Sequence, residues 1–290
     1  MTALRVPLVA VLVSGYFAAF SEGATADALA LQTVMARAGE YLMAYAKQFS
    51  ATIAEERYLQ QVVDRGGVTR QTRQLRSDVF MIWLPEKGEW AGFRAVLEVD
   101  GKALPDRIER LRKLFLQSPA EVLNRAREFA DESARYNIGS IGRNINLPMM
   151  ALDVVKPSNQ SRFTFKESDE ETIDGKTVWV IEFVEHDRPT LVRTSVGDIF
   201  SQGKLWIDPI EGRVVRSEFI IGSTTGDLRS DVVVTYRPDA GSGLWLPSRM
   251  DELHSRPSRP LSDRIKCTAT YGNIRRPVVE TQERADAPEH

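Results

Sequence analysis

Glu185-His186-Asp187 sets an imidazole between two carboxylates, the residue types of a general base with an orienting acid. The triplet closes an expected strand just ahead of Arg188-Pro189, where charges ordinarily face water. A solvated loop residue is therefore the expectation for His186. Gly222-Ser223-Thr224-Thr225-Gly226 has the outline of a nucleophile elbow. Its central residue is Thr224, and it follows a strand arm instead of opening a helix, so a polar turn accounts for it better. The other histidines are His254 and His290, and the chain holds no H-E-x-x-H helix and no Cys–His ligand spacing. No metal site and no cofactor is expected. Gly139, Gly142 and Gly241-Ser242-Gly243 lack the flanks of a phosphate or dinucleotide loop. Carboxylates are plentiful, but sequence cannot pair them. An exported hydrolase with an acid–base pair assembled across strands stays open, with His186 and His254 the histidines to test.

Cys267 is the single cysteine, so no intramolecular disulfide can form. Ile265, Cys267, Ala269 and Tyr271 share one strand face, which makes a buried core thiol the expectation.

The remaining candidates are apolar. Trp83, Phe93, Leu97, Trp179, Phe183 and Trp206 lie on expected strands, facing either a core or a cavity. Met149, Met150 and Leu152 follow in a non-strand segment, and their flexible side chains suit an acyl chain. Each is ordinarily a core residue; as a group they could line a pocket. The opposing expectation is that they fill the interior completely.

These residues need elements to hold them. Leu31, Val34, Ala38, Tyr41, Leu42 and Tyr45 recur at helical steps and predict a helix over Leu29 to Gln48. Strands are expected at Thr52 to Val63, Arg70 to Leu84 and Trp90 to Val99, and Asp100-Gly101 forms a tight turn. Pro105 opens a helix with Ile108, Leu111, Leu114 and Phe115 on one stripe. Ser118-Pro119-Ala120-Glu121 is a capping box for a second helix to about Tyr136. An apolar stretch, Ile145 to Val155, comes next. Further strands are expected at Arg162 to Lys166, Thr177 to Glu185, Arg229 to Arg237, Leu244 to Leu253 and Ser262 to Tyr271. In Thr177 to Glu185, Trp179, Ile181 and Phe183 alternate with Val178, Val180 and Val184, so that strand must be covered on both sides.

The N-terminus reads as targeting sequence. Arg5 precedes an apolar run from Val6 to Phe20, about 15 residues, which is shorter than a bilayer span of roughly 20. Ala24, Ala26 and Ala28 offer cleavage sites, so residues 1–28 are expected to be a signal peptide and the mature protein to be periplasmic or extracellular. Removing Arg5, Glu22 and Asp27 leaves 37 basic and 38 acidic residues, which gives no reason to expect a nucleic-acid partner. A hydrophobic share of 42% is enough for a sizeable core.

One hairpin is more specific. Gly203-Lys-Leu-Trp-Ile-Asp-Pro-Ile-Glu-Gly-Arg-Val-Val-Arg-Ser-Glu-Phe219 places Asp208, Pro209 and Gly212 in turn order between two β-favouring arms. This wording resembles the periplasmic lipoprotein-carrier superfamily (LolA/LolB-like). The resemblance implies export and a long antiparallel half-barrel with a helical lid over an apolar cavity. It also implies an internal arginine that holds the lid closed, for which Arg94 and Arg193 are the candidates. The insert at Leu104 to Leu152 is larger and more charged than a simple lid requires.

The expected fold class is thus α+β. Residues 29–275 form one strongly curved antiparallel half-barrel, with a leading helix and a helical insert at 104–156 as lid or plug. Residues 276–290 form a disordered tail. The expected function is that of a non-catalytic carrier or binding protein. Its partner would be a lipid, an acyl chain or a lipoprotein, with peripheral membrane contact. The alternatives are the hydrolase and a scaffold whose core is filled.

Overall fold

The computed structural model describes residues 20–48, 51–84, 89–105, 128, 131–143, 147–194, 197–239 and 245–275. The expected helix after Pro105, the Ser118 capping box, the start of the signal segment and the C-terminal tail lie outside them.

Helix α1 (Phe20–Gln48) contains the predicted leading helix and starts before it. Val34, Met35, Ala38, Leu42, Tyr45 and Ala46 are buried, which is one face at three- and four-residue steps. None of the described helices is long and apolar enough to cross a membrane.

Three long strands follow: β1 (Ala51–Val63), β2 (Thr69–Leu84) and β3 (Glu89–Val99), then the short β4 (Lys102–Ala103). After a 3-10 turn at Met150–Val154 and the single-turn helix α2 (Pro157–Gln160) come β5 (Phe163–Ile173) and β6 (Lys176–Glu185). Next come β7 (Val192–Thr194), β8 (Gly197–Ile199), β9 (Ser201–Ile207) and β10 (Val214–Gly222). The series ends with β11 (Arg229–Pro238), β12 (Trp245–Ser255) and β13 (Arg264–Arg275). Eleven of these strands form one sheet in the order β4-β3-β2-β1-β13-β12-β11-β10-β9-β6-β5, while β7 and β8 pair separately. Pairing is antiparallel throughout, and the sheet is open, with β4 and β5 as its edges. The architecture is α+β. The β1–β13 ladder joins the two ends of the strand series, from Ile53 opposite Arg275 to Val63 opposite Arg264.

Burial alternates along the strands as a two-sided sheet requires, for instance Ser230, Val232, Val234 and Tyr236 on β11. One face, here called inner, carries the main core with α1 packed on it. That core runs from Val79 on β2 to Phe183 on β6. The expectation that β6 is covered on both sides holds through Ile181. Val178 and Val180 form a second cluster with Trp206 and Val215 on the outer face. Val184 at the strand end is half exposed.

One difference from the sequence expectation has a local cause. Strand β5 continues past Lys166 to Ile173, because an edge strand of exposed residues such as Asp169, Glu170 and Glu171 keeps its ladder to β6 without burying a face. The end of the apolar stretch, inside the expected insert, is compact. Met150–Val154 winds as a 3-10 turn and tucks Ala151, Leu152 and Val154 into the core.

The hairpin β9–β10 forms as expected. The Asp208 carbonyl accepts from Gly212 N at 2.8 Å, and its Oδ1 accepts from Ile210 N at 2.9 Å and Glu211 N at 3.0 Å. Gly203 has a packing role. It lies between its ladder partners Phe183 and Phe219, whose rings stack above it at 6.0 Å. A Cβ there would meet Phe183 Cζ at 2.9 Å and collide with the Glu218 carbonyl.

Candidate functional site

The polar side chains that the fold brings together lie on the inner face, where β3, β1, β13, β12 and β11 each turn alternate residues toward the core. Residue 56 of β1 faces inward with Ala54, Tyr58, Gln60 and Val62, so Glu56 enters the interior as a consequence of register. Arg94 on β3 faces the same way and binds both Glu56 oxygens, one through Nη2 at 2.7 Å and the other through Nε. The Arg94 guanidinium also lies 4.6 Å from the centre of the Tyr58 ring. Burial alone would lower the Arg94 pKa, but the charge and hydrogen bonds of Glu56 outweigh it and hold the group firmly ionised.

Tyr58 continues the network by donating to Glu252 Oε2 at 3.3 Å. The same oxygen lies 2.6 Å from His254 Nε2, and His254 Nδ1 lies 2.9 Å from Ser230 Oγ. Cys267 is the ladder partner of Glu252 on β13, and its thiol joins this group. Burial, reinforced by the Glu252 charge, pushes the Cys267 thiol up to about 12. The expected core thiol is therefore found, in polar company. Burial, followed by the Glu252 charge, raises Tyr58 well above the usual phenol range.

A second group fastens the cover to the sheet. Gln60 donates to the Tyr136 carbonyl at 3.3 Å, while its Oε1 accepts from Ile138 N at 3.2 Å and from Arg143. Arg143 closes the loop on itself through the Ile138 and Ile141 carbonyls at 3.0 and 3.2 Å. Ser133 donates to the Arg94 carbonyl, and Tyr236 donates to that of Pro148 at 2.9 Å. Gln160 donates to the Met35 carbonyl at 2.9 Å and so ties the segment to α1. Of the two candidate internal arginines, Arg94 is buried on the inner face and Arg193 is exposed on β7.

The apolar candidates divide. Met149, Leu152 and Phe183 are buried in the main core, and Met150 and Trp179 pack against it half buried. Phe93 points to the outer face, where it stacks on Phe80 at 4.6 Å. Trp206 also lies on the outer face, in the second cluster with Arg216 at 4.5 Å above its ring. Neither lines the inner face. The cause is period-two alternation: each is one residue away from an inward neighbour, Arg94 and Leu205 respectively. Leu97 is the extra residue of a β-bulge, between Glu98 opposite Arg76 and Val96 opposite Ser77. The backbone of Trp83 is in β2, and its side chain lies outside the described residues.

Between α1, Leu152, Val155, Val214 and Tyr236 an enclosed space of about 10 Å³ remains, close to the volume one water needs. A larger groove of about 470 Å³ lies on the outer side of β1–β3 and β13. Its lining mixes Tyr58, Leu59 and Leu75 with the charged residues Arg57, Arg76 and Glu98.

His186 is exposed, and its Nδ1 lies 3.1 Å from Asp187, in keeping with a solvated loop. The functional part of that triplet is its glutamate. Glu185 is buried, with Oε1 accepting from Leu191 N at 2.7 Å and Oε2 accepting from Ser201 N at 3.0 Å and Ser201 Oγ at 2.7 Å. It ties Leu191, ahead of β7, and Ser201, at the start of β9, to the end of β6. Glu185→Ala leaves two amides and a hydroxyl without their acceptor and should lower unfolding free energy by about 3 kcal/mol in urea titration. A loss under about 1 kcal/mol would show the loop to be held otherwise.

Sequence reasoning passed over Glu56, Tyr58, Gln60, Ser230 and Glu252. The available signal was Glu252-x-His254, two polar residues on one strand face. Ser230, His254 and Glu252 have the residue types of a nucleophile, base and orienter. All three are buried, and none lines the small space beside α1 or the groove outside β1–β3.

No family model matches the chain, and no curated protein matches it. Solved structures similar to it include a domain from Vibrio parahaemolyticus described as an outer membrane lipoprotein-sorting protein. That match has 11% identity, covers 87% of this chain and 93% of that one, and gives a TM-score of 0.42. A DUF1329 family protein from Desulfovibrio piger matches at 11% identity over 85% and 93% of the two chains, TM-score 0.40. The LolA superfamily protein NE2245 from Nitrosomonas europaea matches at 12% identity over 86% and 94%, TM-score 0.34. The chain is distantly similar to each of these structures.

Proposed function

We propose that this protein is an exported, non-catalytic carrier or binding protein for a lipid or another apolar ligand in the cell envelope. In this reading the open sheet is a curved half-barrel whose lid is α1 together with the insert. One observation carries it. The inner face carries an apolar core from β2 to β6, interrupted by the buried groups around Glu56 and Glu252; among the described residues it is covered by α1 and residues 131–143 and 147–160, and no strand ladder joins these to the sheet. Side-chain hydrogen bonds from Gln60 and Tyr236 and apolar contact fasten residues 131–143 and 147–160. A cover held in this way can lift while the sheet stays intact. The hairpin at Gly203 to Phe219 supports the same reading by its wording. Met149, Met150, Leu152, Trp179 and Phe183 would meet the ligand, and each buried methylene would contribute roughly 0.8 kcal/mol before binding costs.

The small enclosed space means that the ligand site would form on opening. The same space favours a second reading, a partner-binding scaffold whose interior is filled by its own side chains. Mass spectrometry of gently purified protein and titration with a fluorescent fatty acid separate the two. The carrier reading predicts co-purifying lipid and saturable binding that Leu152→Trp weakens at least several-fold. Absence of both lipid and saturable binding would leave the scaffold.

A further inference from the structure

We propose that Glu252, His254 and Cys267 form a zinc-binding site within the inner face of the sheet. One carboxylate oxygen, one imidazole nitrogen and the thiol sulfur lie within 4.8 Å of one another, and all three residues are buried. Their placement follows from strand geometry. Glu252 and Cys267 are directly opposite on β12 and β13, and His254 is two residues along β12 on the same face, itself opposite Ile265. Zinc bonds of about 2.0–2.3 Å put tetrahedral neighbours about 3.3–3.7 Å apart. Glu252 Oε2 and His254 Nε2 are now 2.6 Å apart, so small side-chain rotations separate them and draw the sulfur in.

The surroundings fit a metal as well as the three ligands do. With Nε2 on the metal, His254 carries its proton on Nδ1 and donates it to Ser230 Oγ, already at 2.9 Å. That is the outer hydrogen bond which fixes the ring of a ligating histidine. A carboxylate and a thiolate would neutralise a divalent cation, so the loaded site adds no net charge to the interior. The Tyr58 hydroxyl, which donates to Glu252 Oε2 at 3.3 Å, would be the outer hydrogen bond to the ligating carboxylate. Sulfur and imidazole ligands select zinc over magnesium or calcium, which take oxygen. The ligands lie on interior strands of the sheet, so the site is built on its rigid part.

The test uses the whole chain, stripped with chelator and loaded with zinc or cobalt(II), both natively and by refolding from urea. One zinc per chain should survive desalting, and cobalt should give a thiolate charge-transfer band with tetrahedral ligand-field absorption. Cys267→Ser should abolish that band, and His254→Gln should weaken cobalt binding by about tenfold or more. His186→Ala should change neither. The proposal is overturned if folded wild-type protein retains no zinc or gives cobalt spectra without the thiolate band. It is equally overturned if Cys267→Ser binds as wild type, or if His186→Ala removes the metal. Should a ligand variant fail to fold, the wild-type cobalt spectrum decides alone.

Discussion

Replacing Arg94 by Met is expected to lower the unfolding free energy by about 3–5 kcal/mol, because it leaves Glu56 as an unpaired charge in the interior. Glu56 is fully buried, and both its oxygens are directed at the Arg94 guanidinium. The cost is mainly that of stranding the partner. Two buried ions attract strongly only because both have lost their hydration, so removing both together should be far milder. The double variant Arg94→Met with Glu56→Leu should return to within about 2 kcal/mol of wild type, or exceed it. Urea unfolding of the two singles and the double gives the coupling directly. A single-variant loss under about 1 kcal/mol would mean that water reaches the pair, and the buried network would have to be redrawn. Arg94 also touches the cover, since its carbonyl accepts from Ser133.

Gly212→Ala should cost at least about 3 kcal/mol, from two independent sources. Gly212 has φ +69°, where a side chain is strained. A Cβ would also collide with the Arg37 carbonyl of α1 and come within 2.6 Å of Ala38 N. Backbone cannot rotate away as a flexible side chain can. The hairpin turn is thus a docking point for α1, reinforced by Arg37 Nη1 donating to the Pro209 carbonyl at 2.8 Å. Ile210→Ser in the same turn is the control: Ile210 is 81% exposed, so its loss should stay within about 0.5 kcal/mol. Equal effects at the two positions would show that the turn does not bear on α1. Under the carrier reading, Gly212→Ala also tests whether a loosened α1 opens the interior to the fluorescent fatty acid.

The hairpin at Gly203 to Phe219 illustrates how far local chemistry reaches. Its turn residues, its arms and its flanking strands were legible because Asp, Pro and Gly have conformational preferences that act within a few residues. What Gly203 and Gly212 approach was not legible. One makes room for a stack of Phe183 on Phe219 and the other for the backbone of α1, contacts across strands and across the fold. The polar interior was hidden for a related reason. Along Ala51–Val63 both alternating sets contain charged residues, Glu56 on one side and Glu55 and Arg57 on the other. Alternation alone does not say which set faces inward. The register with β2 and β13 decides it, and with it the burial of Glu56, Tyr58 and Gln60. Phe93 and Trp206 show the converse, aromatic residues that pairing turns to the outer face.

By itself, then, the sequence determined most of the long strands and their tight turns, the leading amphipathic helix and the α+β class. Each of these depends on residues close together along the chain, through periodicity and turn propensity. Only the tertiary structure decided that Arg94 meets Glu56, and that Glu252 and His254 meet Cys267 across a ladder. It alone decided that α1 and residues 131–143 and 147–160 lie over the inner face. Those outcomes rest on the register of strands far apart in sequence, where a slip of one residue exchanges every inward side chain for an outward one.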